Sequence, residues 1–173
     1  YFEFDDQRKI TQIRPLVRND AHKLIEECMI AANVCAAKFL KKHKIPGLHR
    51  NHEGPTVEKV EDLREFLAGF VLQLPGGESP SPSDYAAVVA QLEGRVDQEL
   101  IQTVMLRSLS QAMYAPDAEV GHFGLAMTDY AHFTSPIRRY PDLLVHRAIR
   151  HVLQGGKVDQ YGYSPQDMVA LGE

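Results

Sequence analysis

The stretch HFTSPIRRYPDLLVH, residues 132–146, gathers hydroxyl, guanidinium, carboxylate and imidazole groups around two prolines. Ser135 followed by a proline is a typical helix entry, with serine as the N-cap and proline at the first helical position. Arg138 and Arg139 then fall in the first turn, where a cation opposes the helix dipole. Free backbone N–H groups, the hydroxyls of Thr134 and Ser135 and the guanidiniums together favour phosphate binding at this position.

The residues that follow are expected to shape this site. Pro141 either kinks the helix or restarts it, so the arginines should lie on an irregular turn. Asp142 is expected to pair with Arg138 or Arg139 and to hold it in place. His146 lies one helical turn beyond Asp142 and is predicted to hydrogen-bond with it. A purely structural ion pair is the alternative interpretation of the arginines.

Aromatic and imidazole side chains surround the same stretch. Tyr130, Phe133 and Tyr140 offer flat rings on which bases can stack. Ordinary packing in the core is the alternative interpretation for each ring. His132 and His146 have no third ligand at a suitable spacing, so the pattern predicts no zinc site.

The element upstream is predicted to be a long helix that begins at Asn19 or Asp20 and ends near Lys42. Residues 24–40, LIEECMIAANVCAAKFL, are apolar or small on nearly every side of this helix. A helix with that pattern is usually buried. Cys28 and Cys35 are accordingly expected to be buried thiols in a reducing cytoplasm.

Three polar residues interrupt this apolar helix: Glu26, Glu27 and Asn33. Burying an unpaired carboxylate costs on the order of several kcal/mol, so these residues should have an arginine, a cation or a ligand as partner. The alternative is that Glu27 pairs with Lys23 in solvent and that Glu26 meets a structural arginine.

The rest of the chain supplies the elements that must position these residues. Their caps, turn residues and apolar periodicity predict a hairpin over 1–13, a helix after Thr56, a short helix capped by Ser83 or Asp84, a helix from Asp97 to about Tyr114, a short strand over 125–127, a helix from Ser135 to Leu153 and one more helix start at Ser164. The fold class is therefore mainly α with a small β element (α+β), with about five helices and an N-terminal hairpin.

Length and charge limit the possible functions. The chain has 173 residues, which suits one domain, and no apolar run long enough to span a membrane. Its net charge is −4, whereas nucleic-acid-binding domains are usually basic. A site for a polyanion must therefore be a local patch.

Residues 122–146, HFGLAMTDYAHFTSPIRRYPDLLVH, resemble the signature of the ribonuclease II family, the RNB catalytic domain. Residues 21–33, AHKLIEECMIAAN, are similar to a second block of that family, and the spacing between the two blocks also fits. The LPGG loop at 74–77 and the RRYPDL form of the motif resemble a bacterial branch of the family. The resemblance extends over essentially the whole chain and implies the later, helical part of the catalytic domain.

The resemblance implies a processive 3′-to-5′ exoribonuclease that uses Mg²⁺ to hydrolyse single-stranded RNA to nucleoside 5′-monophosphates. Arg138 corresponds to the catalytic arginine at the scissile phosphate, where it would neutralise developing charge. The predicted RNA- or phosphate-binding residues are Thr134, Ser135, Arg139, Tyr130, Glu26, Glu27 and Asn33. The predicted supporting residues are Asp142, His132, His146 and Tyr140.

The metal site of the family is expected upstream of this chain. The family's aspartate cluster and a stacking tyrosine lie near the start of the catalytic domain, whereas Asp5 and Asp6 are interpreted as a hairpin turn. The chain should therefore contain no metal ligands and have little nuclease activity alone. Its expected partners are the 3′ end of RNA and the rest of the same polypeptide, including cold-shock and S1 domains, in the cytoplasm. A non-catalytic helical RNA-binding or scaffold module is the alternative, and a phosphatase-like enzyme is a weaker one.

Overall fold

The computed structural model describes residues 1–15 and 17–173, which divide into two compact units, Tyr1–Ala31 and Ala32–Glu173. The first unit opens with the predicted hairpin, in which β1 (Phe2–Phe4) pairs antiparallel with β2 (Ile10–Ile13). The carboxylate of Asp5 accepts the backbone N–H groups of Gln7 and Lys9 at 2.9 and 2.8 Å. Asp5 is therefore a turn residue, as the sequence predicts.

The long helix α1 (Asp20–His43) begins where its cap predicts, because the side-chain oxygen of Asn19 accepts the N–H of His22 at 3.0 Å. Its predicted burial is wrong for the first half, where Leu24 and Ile25 are 64% and 58% exposed. The apolar composition of a helix shows how much surface it offers for packing. It does not show which part of that surface another element covers.

The thiols also differ from the prediction, since Cys28 and Cys35 are both exposed. Burial in α1 is confined to positions near its end, with Asn33, Ala36, Ala37 and Leu40 as the buried residues. Cys35 precedes Ala36 on the helix but points away from the side that packs, because consecutive residues project about 100° apart.

The second unit supplies the remaining helices and a second strand pair. Their bounds are β3 (His49–Asn51), α2 (Val57–Ala68), α3 (Pro82–Ala90), α4 (Gln98–Ser108), β4 (Met113–Ala115), α5 (Tyr140–Leu153) and α6 (Pro165–Gly172). The strands β3 and β4 pair antiparallel, with Arg50 opposite Tyr114. The part of the chain described thus holds six α-helices and two small strand pairs. This confirms the mainly α class with a small β element. The sixth helix begins after Ser164, as the sequence predicts, and the pair β3–β4 is an addition to the prediction.

Several predicted boundaries move. Thr56 caps α2 as predicted, but α3 is capped by Ser81 in a capping box with Asp84. The helix predicted to reach Tyr114 ends at Ser108, because residues 113–115 pair as a strand instead. The strand predicted over 125–127 is wrong, and a short 3-10 helix spans Phe123–Leu125.

The core places α5 between two hydrophobic clusters. One buried cluster joins Leu40 of α1 to Val145 and Ala148 of α5. Another joins Leu144 of α5 to Met168 of α6. Because Leu144, Val145 and Ala148 lie on one broad side of the helix, both clusters anchor α5 from that side. None of the helices within residues 1–15 and 17–173 is long and apolar enough to cross a membrane.

Candidate functional site

The arginine pair lies on a turn that precedes α5. The carbonyl oxygen of Ser135 accepts the N–H groups of Arg138 and Arg139 at 3.2 and 3.0 Å. Arg139 is extended and is the N-cap of α5, with Pro141 in the first helical turn. The predicted helix start at Ser135 is therefore wrong, because a proline inside a longer helix would remove one backbone hydrogen bond. The expectation that Pro141 restarts the helix and leaves the arginines on an irregular turn is confirmed.

Asp142 fixes both ends of this turn. Its side chain is fully buried, and its Oδ1 accepts the N–H of Ser135 at 2.7 Å and the Nη2 of Arg139 at 2.9 Å. As the third residue of α5, the carboxylate also lies at the end of the helix where the dipole stabilises negative charge. Of the two pairings that the sequence left open, the structure therefore has the one between Asp142 and Arg139.

Arg138 has the opposite environment from its neighbour. Arg138 is exposed, and within residues 1–15 and 17–173 its side chain makes no hydrogen bond or ion pair. The preceding Ile137 is also fully exposed. The Arg139 side chain, by contrast, is only 22% exposed. The guanidinium of Arg138 is thus exposed to solvent without an acidic partner among the described residues, whereas that of Arg139 is paired with Asp142.

Two hydroxyls lie just before the arginines. Thr134 and Ser135 are both half-buried. Among the residues that the structure describes, neither hydroxyl has a hydrogen-bond partner. Both are therefore available as donors to an anion beside Arg138.

His146 supports the same segment from α5 but not through Asp142. Its Nε2 donates to the carbonyl oxygen of Phe133 at 2.9 Å, and the two rings stack with centroids 4.2 Å apart. The predicted bond between His146 and Asp142 is wrong. The Oδ1 atom of Asp142 is turned toward Ser135 and Arg139 within the turn, and the ring of His146 is instead held against Phe133.

Asn33 connects α1 to the same segment. This buried amide donates from Nδ2 to the hydroxyl of Tyr130 at 3.0 Å and accepts the N–H of Phe133 at 2.9 Å. Tyr130 is also buried, with its ring edge-on to His122 and His132. Tyr130 is therefore packed in the core, which is the alternative interpretation of this residue, and its ring has no exposed face on which a base could stack. Asn33 contributes to the site indirectly, because its amide holds the backbone of Phe133 in place.

His132 is part of a cluster that sequence reasoning missed. Its Nδ1 lies 2.7 Å from the hydroxyl of Tyr114, and the guanidinium of Arg50 lies 4.5 Å from the Tyr114 ring centroid. Burial, with a further contribution from Arg139, lowers the pKa of His132 to about 4. A neutral imidazole is therefore packed behind the arginine turn. No spacing in the sequence links Tyr114 or Arg50 to position 132, because the β3–β4 pair is what places them there.

The acidic block lies in the first unit. Arg18 forms an ion pair with Glu26, with Nε 3.1 Å from Oε1, and this bond lowers the pKa of the Glu26 carboxyl. Glu27 is exposed and makes no ion pair in the described ranges, while Lys23 pairs with Asp20 at 3.1 Å. Glu26 therefore has the structural arginine of the alternative interpretation, and the proposed pair between Glu27 and Lys23 is wrong.

The described residues provide no cluster for a metal ion. Across positions 1–15 and 17–173, no group of three or more His, Cys, Asp or Glu side chains converges as metal ligands do. The carboxylate of Asp5 accepts hydrogen bonds from the backbone of its hairpin turn. The described side chains therefore form no preassembled site with three or more metal ligands.

Comparison with known sequences gives consistent matches. The model of the RNB domain matches residues 1–155. Ribonuclease R of Vibrio parahaemolyticus is 52% identical over 181 residues, which cover 99% of this chain and 22% of that protein. Ribonuclease R of Escherichia coli K12 is 49% identical, with the same coverage. The chain thus spans about a fifth (22%) of the length of these curated relatives.

Solved structures share the fold. Mycoplasma genitalium RNase R in complex with ribose-methylated single-stranded RNA superposes with a TM-score of 0.85 at 26% identity, covering 99% of this chain and 27% of that one. Its complex with double-stranded RNA gives a TM-score of 0.86 and covers 31% of that chain. Yeast Ssd1, a pseudonuclease, has a TM-score of 0.71 at 23% identity over 87% of this chain and 18% of its own. That last match shows the fold alone, and a fold does not determine an activity.

Proposed function

The chain belongs to the RNB domain family, and from this premise we propose that it is part of a processive 3′-to-5′ exoribonuclease. The substrate is single-stranded RNA and the products are nucleoside 5′-monophosphates. The chain supplies the arginine that contacts the scissile phosphate and part of the wall of the RNA channel. The observation that carries this proposal is the contrast between Arg138, which has no acidic partner among the described residues, and Arg139, which is paired with buried Asp142.

Arg138 acts on the phosphate where the bond breaks. Hydrolysis breaks the bond between phosphorus and the 3′ oxygen: the hydroxyl of water goes to phosphorus and its proton to the 3′ oxygen. The phosphate therefore stays on the 5′ oxygen of the released nucleotide. Negative charge on the phosphate oxygens is redistributed in the transition state. A guanidinium binds two of these oxygens through parallel N–H···O hydrogen bonds. It stabilises the transition state when these hydrogen bonds are stronger in the transition state than in the bound substrate.

Neighbouring groups position the same phosphate or the next one. The hydroxyls of Thr134 and Ser135 lie just before the turn, and each has a free hydrogen to donate. Asp142 fixes the turn from behind, since it accepts both the Ser135 N–H and the Arg139 guanidinium. Thr134 and Ser135 are thus binding residues in this proposal, and Asp142 is a positioning residue.

The Mg²⁺ that the family resemblance implies has no fitting ligand set among the described residues. We therefore assign no step to it in this chain. The acidic residues that bind it are proposed to belong to other parts of the polypeptide.

The test is mononucleotide release from a 3′-tailed single-stranded RNA, measured with Mg²⁺ and then with EDTA. The 173-residue chain should release no nucleotide, and a longer polypeptide that includes the upstream aspartates should release mononucleotides only with Mg²⁺. RNA binding without release by the longer polypeptide would favour the non-catalytic module. Metal-dependent release by the chain alone would mean that its own carboxylates bind the metal.

A further inference from the structure

A second cluster of polar and aromatic side chains joins α5, beyond the arginine turn, to Tyr163 in the segment before α6. The Nη1 of Arg147 donates to the hydroxyl of Tyr163 at 2.7 Å and to that of Tyr140 at 3.3 Å. The same guanidinium lies 5.7 Å from the centroid of the Tyr140 ring. The cluster thus consists of one cation held by two phenols.

The charge of this cluster is not neutralised. In the described ranges Arg147 makes no ion pair, and its hydrogen-bond partners are uncharged hydroxyls. A guanidinium has more N–H donors than these two bonds use, so Nε and Nη2 remain available. In a chain whose net charge is −4, a fixed and uncompensated cation is a local site for an anion.

The cluster also presents an aromatic surface. Tyr140 is 46% exposed, in contrast to the buried ring of Tyr130. An exposed ring beside a cation is the combination that binds single strands, because every base has a face that stacks and every linkage carries a phosphate. Tyr163 orients the guanidinium through the shorter of the two hydrogen bonds.

The cluster lies close to Arg138 along the chain. The backbone keeps the Cα atoms of Tyr140 and Arg138 within about 7 Å. Arg147 follows Tyr140 by two helical turns, about 10 Å along the axis of α5. This separation suits a phosphate other than the one that contacts Arg138.

We propose that Tyr140, Arg147 and Tyr163 form a second contact site for single-stranded RNA, in which Arg147 binds a backbone phosphate and Tyr140 stacks on a base. The inference rests on the proposed function and deepens it, since both sites bind the same strand. Tyr163 is a positioning residue that holds the guanidinium.

The test is the equilibrium binding of a fluorescein-labelled oligouridylate to the 173-residue chain across a salt series. Arg147→Gln should weaken binding and reduce the slope of log K against log salt by about 0.7, the contribution of one phosphate contact on a single strand. Arg107→Gln makes the same charge change at an exposed position of α4 and should leave the slope unchanged. Urea unfolding of each variant checks that it is folded.

The aromatic part of the site has its own matched pair. Tyr140→Phe keeps the ring and should retain most of the affinity, whereas Tyr140→Ala should lower it roughly tenfold, the effect of losing one stacked base. Equal losses in the two variants would overturn the stacking role.

Failure of this inference is distinguishable from failure of the proposed function. If Arg138→Gln reduces the salt slope while Arg147→Gln behaves like Arg107→Gln, the second contact site is wrong and the proposed function stands. If the unsubstituted chain binds no RNA even at low salt, the second contact site is overturned, whereas the proposed function is overturned only if the longer polypeptide releases no nucleotide.

Discussion

Two arginine–carboxylate pairs in this chain have the same chemistry and opposite surroundings. In the first unit, Arg18 and Glu26 have side chains that are 59% and 42% exposed. In the second unit, the corresponding values for Arg139 and Asp142 are 22% and 0%. The exposed pair remains in water, where such interactions contribute little to stability. The buried carboxylate also accepts the N–H of Ser135, so it holds the backbone as well as a side chain.

The difference shows how a turn can leave one arginine without an acidic partner. At Glu26 the acid neutralises the nearby arginine, and the pair presents no net charge. At Asp142 the acid is buried and engaged by Arg139, which leaves Arg138 with no acidic partner among the described residues. An arginine becomes available to an anion because its neighbour has already taken the local carboxylate.

The largest expected effect comes from breaking the buried pair. Asp142→Ala leaves the Arg139 guanidinium and the Ser135 N–H without their acceptor and should destabilise the fold by about 3–5 kcal/mol. Urea unfolding of the 173-residue chain measures this loss. A change as small as that of an exposed surface substitution would mean that Asp142 does not organise the turn.

The next largest effect is expected at Asn33, whose amide holds the segment just before the arginine turn. Asn33→Ala removes the hydrogen bonds to Tyr130 and Phe133 and should destabilise the fold by about 1–3 kcal/mol, because buried polar groups lose their partners. Asn51→Ala is the matched control, since this buried amide makes one such bond, to the carbonyl oxygen of Asp117. A larger effect at Asn51 would contradict the role given to Asn33.

The third prediction concerns how the stability of the fold depends on pH through two buried histidines of the second unit. Burial holds the pKa of His132 and of His122 at about 4, below the ordinary 6.5 of the unfolded chain. As the pH falls from about 6.5 to 4, the histidines bind protons in the unfolded state but stay neutral in the folded state. Their contribution to the free energy of unfolding is therefore fully present above this pH window and is lost within it. The midpoint of urea unfolding should therefore fall across this range, and His132→Gln should reduce the slope. A midpoint that does not change with pH would contradict the burial of these imidazoles.

The smallest effect is expected at the exposed pair. Glu26→Gln removes the charge that pairs with Arg18 at the surface, and the midpoint of urea unfolding should not change measurably. A clear loss of stability would contradict this prediction and would show that the exposed pair, like the buried one, stabilises the fold.

Local signals in the sequence predicted much of this organisation. Asn19 and Thr56 mark helix starts correctly because capping depends on residues within one turn. The irregular arginine turn follows from Pro141, again a local constraint. The sequence predicts too early a start for α5 because Ser135-Pro136 also has the residue types of a helix entry.

The rest depends on contacts between residues that are far apart in sequence. Tyr114 and Arg50 meet through the β3–β4 pair, which has three residues per strand and too little pattern to predict. Arg147 meets Tyr163 through the packing of α6, and the exposure of Cys35 depends on which side of α1 is covered. Tertiary contacts decide these positions, and the local sequence does not record them.

The most direct test of the central claim compares Arg138→Lys with Arg139→Lys in a longer polypeptide that carries this chain and the aspartates proposed to bind the metal. Each variant is measured for kcat and KM of mononucleotide release and for its urea unfolding midpoint. Lysine keeps the charge and loses the bidentate geometry. We predict that Arg138→Lys lowers kcat by about 100-fold or more with an unchanged midpoint, whereas Arg139→Lys lowers the midpoint. Equal losses of affinity and turnover in Arg138→Lys, or a stable Arg139→Lys variant, would contradict it.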